Sequence, residues 1–243
     1  MNRAVLAVSV ALLLSCSHSS QLSGLRQCAT RAASANAVAA RKDLKDIPTL
    51  IGALNPGYGG VDCRSGLDPT PAVASAVASY GSQALEPLIQ ALEKPALRGG
   101  AATALGDIGD RRAVNPLLLV MREGLVAGFR IEPAVYAALG KLGDDRAVPF
   151  LIQAATRRSE YVDADAARAL ALLKGARAQL LDMLNSRTPE DRVNAAAMLG
   201  WSKDESAADA LSAHLNDPDK KVRDETRNAL ARLGWQTASP TPR

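Results

Sequence analysis

The sequence predicts an all-α fold: a right-handed α-solenoid of about six antiparallel helix pairs, closed by a C-terminal capping helix. Three observations predict it. The motif Ala-Leu-Gly-x-Leu/Ile-Gly-Asp stands at 104–110 and again at 138–144, with weaker copies around Leu170, Leu199 and Leu230. The central leucines, Leu105, Leu139, Leu170, Leu199 and Leu230, are 34, 31, 29 and 31 residues apart. A period of that size belongs to stacked helical hairpins. Finally, 47% of the residues are hydrophobic but only 3% are aromatic, so the core must be built from many small contacts.

Offsets from the leucine define the first helix of each pair. Ala101, Val135, Ala166, Ala195 and Thr226 lie four residues before it, and Ala104, Ala138, Ala169, Met198 and Ala229 lie one before it. These positions share one helical face. Alanine at most of them lets a neighbouring helix come close. Gly109, Gly143 and Gly234 then end a helix where a left-handed residue is easiest. Asp110 and Asp144 follow where a carboxylate can cap the next helix. Proline in the first turns of the second helices, at Pro48, Pro87, Pro116 and Pro149, costs no hydrogen bond there. First helices are expected to begin near 22, 71, 98, 133, 163 and 190, and the capping helix to run from 220 to 233. Second helices are expected near 44–54, 83–93, 112–123, 146–156, 177–185 and 206–215. The solenoid spans 25–235, with an irregular Gly/Pro-rich loop at 55–71 and a disordered tail at 236–243.

Asn216-Asp217-Pro218-Asp219-Lys220-Lys221-Val222-Arg223 resembles the inter-repeat turn of bacterial HEAT-like repeats, the class that includes the phycobilin-lyase-type repeats. Leu97-Arg98 repeats its end, and Arg192-Val193 inverts it. The resemblance covers about 44–235. Two departures stand out: Glu132 and Asp163 replace the arginine found seven residues before the leucine, and 174–187 lacks the Gly-Asp turn. The resemblance implies a binding surface, and the second helices are expected to line it.

The chain start reads as an export signal over 1–15. Arg3 precedes the apolar run Ala4–Leu14, and Ser15 precedes Cys16. The run is shorter than the ~20 residues of a membrane span. Leu13-Leu14-Ser15-Cys16 resembles the lipobox of bacterial lipoproteins, which implies acylation at Cys16 and a polar tether over 16–24. An ordinary cleaved signal and an unprocessed apolar start are the alternatives. The expected location is the cell envelope on the periplasmic side, lipid-anchored, and Ser17 resembles the outer-membrane sorting choice. Export leaves Cys28 and Cys63 as a pair suited to a disulfide. The alternative is two unrelated small residues.

Catalytic parts are sparse, so no catalytic residue, metal ligand or cofactor is assigned and the chain is expected not to be an enzyme. The two histidines, His18 and His214, fit no metal-ligand spacing, and neither is followed by glutamate as in iron-dependent HEAT-like hydroxylases. There is no phosphate-binding glycine loop and no Gly-x-Ser-x-Gly elbow. The acids Asp144-Asp145, Asp163/Asp165 and Glu190-Asp191 fall at helix starts, where the helix N-terminus accounts for them. Net charge is +4, and Arg111-Arg112, Arg157-Arg158 and Lys220-Lys221 each have acidic neighbours. Nucleic acid is therefore not an expected partner.

A protein or peptide partner at the cell envelope, held by a scaffold reaching it only through the lipid anchor, is the leading expectation. A chromophore or cofactor chaperone-lyase is the alternative that the resemblance implies. Aromatic anchors for a partner are Tyr58, Phe129, Tyr161 and Trp201. The competing reading is that each packs over its own turn. Trp235 is expected to cap the last repeat, and Tyr136 and Phe150 to be core.

Overall fold

The structure is a computed structural model that describes residues 21–57, 68–157 and 162–235. The signal, Cys16, Tyr58, Cys63, Tyr161 and the tail 236–243 lie outside the described residues. Cys28 opens the first long helix, but its side chain is likewise outside them.

Every regular element among the described residues is helical. The first helices of the pairs are α1 (Cys28–Ala39), α3 (Thr70–Ala78), α5 (Pro95–Ile108), α7 (Pro133–Leu142), α9 (Ala164–Leu170) and α11 (Pro189–Ser202). The second helices are α2 (Ile47–Gly52), α4 (Leu85–Ala91), α6 (Val114–Ala127), α8 (Val148–Thr156), α10 (Ala176–Leu184) and α12 (Ala208–Ser212). The final helix is α13 (Lys220–Arg232). The expected α-solenoid of helix pairs is thus present. None of the described helices is long and apolar enough to cross a membrane. The chain divides into two compact units, and the division falls within α6, between Leu117 and Leu118.

The small-residue face does what its composition implies. In the first unit α1, α3 and α5 pack one on the next, and in the second unit α7, α9, α11 and α13 do the same. The buried layer includes Ala101, Ala104 and Leu105, then Val135, Ala138 and Leu139, and so on through Ala229 and Leu230. Two glycines mark the tightest approaches. A Cβ on Gly140 would stand 3.0 Å from the Ala169 carbonyl oxygen, and one on Gly200 would stand 2.6 Å from the Ala229 Cα.

The turn inside four of the six pairs is built alike, more regularly than the sequence suggests. Gly109 and Gly143 have φ of 73° and 67°, and Lys42 and Lys203 take the same left-handed conformation at 57° and 56°. An aspartate follows each: Asp43, Asp110, Asp144 and Asp204. Each carboxylate accepts from the backbone N–H two residues on, at 2.9–3.1 Å. That caps a 3-10 turn, which then runs into the second helix. Asp110 and Asp144 cap as expected.

The fifth pair, which lacks the motif, borrows its cap. Gly175 N–H donates to Asp145 Oδ1 of the preceding repeat at 3.1 Å. At the chain start, α1 begins at Cys28 rather than near 22, after a separate helical turn at 21–24. Gly24 packs there against Ser34, and its carbonyl accepts from Thr30 Oγ1 at 2.9 Å. The ordered chain therefore includes the last residues of the expected tether. Tyr136 is core, as expected, whereas Phe150 is half-buried on a second helix.

Candidate functional site

The arginines of the repeat are occupied by the fold. Arg31, Arg98, Arg192 and Arg223 each donate to the carbonyl six residues earlier: Leu25, Leu92, Ser186 and Asp217, at 2.8, 3.0, 3.0 and 2.6 Å. For Arg98, Arg192 and Arg223 those carbonyls lie in the connection from the previous repeat, so each guanidinium clips one repeat to the next; the Leu25 carbonyl lies just before the first pair. Arg31 is fully buried and also holds the Asn55 and Pro56 carbonyls. Arg192 adds a bidentate pair with Asp217, both bonds 2.8 Å, at a site only 10% and 4% exposed. That guanidinium holds the Asp217 carboxyl well below the usual carboxylate range, against the opposing effect of burial.

The two repeats without the arginine are different. Asp163, in its place, accepts from the Asp165 and Ala166 N–H groups and caps α9. Beside it opens a groove of about 860 Å³ in the second unit. Its floor comes from three successive first helices and the final helix: Tyr136 of α7, Asp165 of α9, Asn194, Ala197 and Trp201 of α11, and Arg232 of α13. The sequence reading expected a binding surface on the second helices, whereas this groove lies mainly over the first-helix layer of the second unit.

Asn194, Ala197 and Trp201 follow one face of α11. Trp201 is half-buried, with the Arg232 guanidinium 4.7 Å and the Arg168 guanidinium 5.8 Å from its ring centre. Arg232 is held in turn by Glu225 at 2.7 Å, and Arg168 by Asp165. Tyr136 is 5% exposed, and burial, followed by the Asp163 charge, pushes its hydroxyl pKa up to about 12. At the near edge, Arg130 and Arg157 enter from the inter-repeat connections. Arg157 Nη1 donates to the Phe129 carbonyl at 2.9 Å.

Of the expected anchors, Trp201 alone among the described residues reaches the groove. Phe129 packs on its own connection, near Gly124, where an added Cβ would stand 3.1 Å from its ring. Trp235 is 39% exposed and borders a separate shallow hollow with Glu205 and Asp209. The sequence reading missed Arg130, Asn194 and Arg232, which carry no motif. Asp144 and Asp163 serve as caps, as their positions at helix starts implied, whereas Asp145 accepts from Gly175 of the next repeat. Among the described residues no group of three His, Cys, Asp or Glu side chains could hold a metal ion.

The family model described as HEAT repeats matches residues 85–171 and 177–241. The chain belongs to the HEAT-repeat family. The gap between the two matched spans of this HEAT-repeat protein falls where Asp145 supplies the missing cap. A similar solved structure is the complex of CpcE and CpcF of phycocyanin lyase from Nostoc sp. PCC7120, at 21% identity and a TM-score of 0.46. The match covers 88% of this HEAT-repeat chain and 93% of that chain. Comparison with curated protein sequences finds no match.

Proposed function

We propose that the protein is a binding module whose groove over α7, α9, α11 and α13 holds an extended peptide segment of a partner protein. The observation that carries this reading is the groove's shape and lining together. Packed helices are about 8–10 Å apart, so four of them span about 24–30 Å. That is the length of about eight extended residues at ~3.3 Å each. The lining is divided about evenly between polar and apolar surface, whereas cofactor pockets are mostly apolar. Asn194 offers one donor and one acceptor to a passing peptide unit, and Trp201 offers an apolar surface two turns further along α11.

A second reading, that the groove holds an open-chain pigment, is favoured by the same Trp201 and its flanking arginines, which suit a flat conjugated ligand bearing carboxylates. It would make the chain a component of an enzyme, against the expectation drawn from its sparse catalytic residues. In the proposal the protein works at the cell envelope, held through an acylated Cys16, with Cys28 and Cys63 joined. Mass spectrometry of the mature N-terminus tests the anchor, and thiol labelling of unreduced, denatured protein tests the bond.

The groove is tested with Trp201 as the reporter. In a Trp235→Phe background, a pool of capped nonapeptides is expected to change Trp201 emission saturably. Trp201→Ala is expected to weaken peptide retention about tenfold or more, the scale of a hot-spot residue. Binding of biliverdin with no response to any peptide would replace this reading with the pigment one.

A further inference from the structure

The groove is lined by three arginines and three acids, but the ion pairs among them are unevenly placed. Asp163 is committed to the N-terminus of α9, Asp165 to Arg168, and Glu225 to Arg232. Two of the three acids are thus in ion pairs, while Asp163 is hydrogen-bonded to backbone N–H groups only. Arg157 is bonded only to a neutral carbonyl, that of Phe129, and Arg130 has no ionic partner among the described residues. Among the described residues these are the two groove-lining guanidiniums without an ion pair, both at one end.

The chain brings these two together by a local device. Gly128 takes φ of 81°, and a Cβ there would stand 3.6 Å from Arg157 Nη2, so the connection passes directly beneath that guanidinium. Phe129 fixes Arg157 through its carbonyl, and Arg130 follows as the next residue. Both arginines line the groove together with Tyr136 of α7. With Nη1 committed to Phe129, Arg157 keeps Nε and Nη2 for a ligand. The repeat arginine is missing from this stretch, at Glu132 and Asp163, and a local departure from a regular pattern is where a functional demand shows.

We infer that the peptide held in the groove carries an acidic side chain, received by Arg130 and Arg157 beside Tyr136. The inference rests on the peptide-binding reading and adds its sequence requirement. The spacing follows from the helices. From α7 to α11 is two helix intervals, about 16–20 Å. At ~3.3 Å per residue, the acid stands about five or six residues from the apolar residue that covers Trp201.

The test is selection from a nonapeptide library acetylated at the N-terminus and amidated at the C-terminus, so that only side chains carry carboxylates. The full chain is expected to enrich Asp or Glu about five positions from an apolar residue. Changing that acid to its amide is expected to weaken binding about tenfold or more, as for a charge-assisted hydrogen bond. The Arg130→Gln, Arg157→Gln double variant is expected to lose the acidic preference and keep the apolar one. Arg130→Gln alone breaks no ionic contact among the described residues, and it repeats the test should the double variant fail to fold. Selection of peptides with no acidic preference, or an acidic preference that survives in these variants, overturns the inference and leaves peptide binding standing. Retention only of peptides with a free C-terminus assigns the carboxylate to a chain end and overturns the side-chain assignment. Selection of no peptide at all removes both readings.

Discussion

Lys203 occupies a left-handed position, φ 56°, that the third and fourth repeats give to Gly109 and Gly143. A non-glycine residue pays about 1 kcal/mol or more for that conformation. Lys203→Gly is therefore expected to stabilise the protein by about 0.5–1 kcal/mol in urea unfolding, part of the gain being offset by a more flexible unfolded chain. Lys42 shares the conformation but has other work. Its ammonium donates to Ser79 Oγ at 2.9 Å and lies 5.2 Å from the Tyr80 ring, so Lys42→Gly is expected to bring no gain. Asp217 gives a pH signature. Its carboxyl titrates lower in the folded protein than in the unfolded chain, so the stability it contributes is complete above the ordinary value of 3.8. That stability drains away as pH falls from there toward the folded value. Asp217→Asn is expected to flatten the acid limb of the stability curve and to lower the melting temperature at pH 7 by on the order of 5 °C, because Arg192 keeps its buried place without its partner.

At the scale of elements, Gly200 sets two effects against each other. In an exposed helix, alanine would gain about 1 kcal/mol over glycine. Here the added methyl meets the α13 backbone at 2.6 Å, and a backbone cannot swing aside as a side chain does. Gly200→Ala is expected to cost about 2 kcal/mol by overpacking, read as a lower urea midpoint with an unchanged slope. The helix pairs themselves were legible in the sequence because alanine and leucine recur on one face with a constant period. The turns were only half legible. Gly-Asp announces two of them, while Lys42-Asp43 and Lys203-Asp204 build the same turn without the glycine that marks it. Arg31 was hidden for a similar reason: its repeat reads Val38-Ala39 where Leu-Gly stands elsewhere, so no leucine pointed back to it.

Within each unit the helices pack mainly on those one or two places along the chain, and stability should be correspondingly local. Arg31→Ala leaves the carbonyls of Leu25, Asn55 and Pro56 without their shared donor. It is expected to cost about 3 kcal/mol. Hydrogen exchange should show protection lost around α1 and α2 and unchanged in α11 and α13. The groove resisted sequence reading for a geometric reason: Arg130, Asp165, Asn194 and Arg232 come from four repeats and meet only when the first helices stack. Trp201 was visible as an aromatic at a turn, but nothing in the chain showed which layer it would face. The bond from Gly175 to Asp145 bears on how such a chain can be edited. Repeat arrays are commonly shortened or lengthened by whole units, as though each unit were self-contained. Here the fifth unit is not, since the fourth completes it. Excising the fourth in register would leave the fifth with an open turn, unless the new neighbour also placed an acid after its capping aspartate. The unit of inheritance at that point is a pair of repeats rather than one.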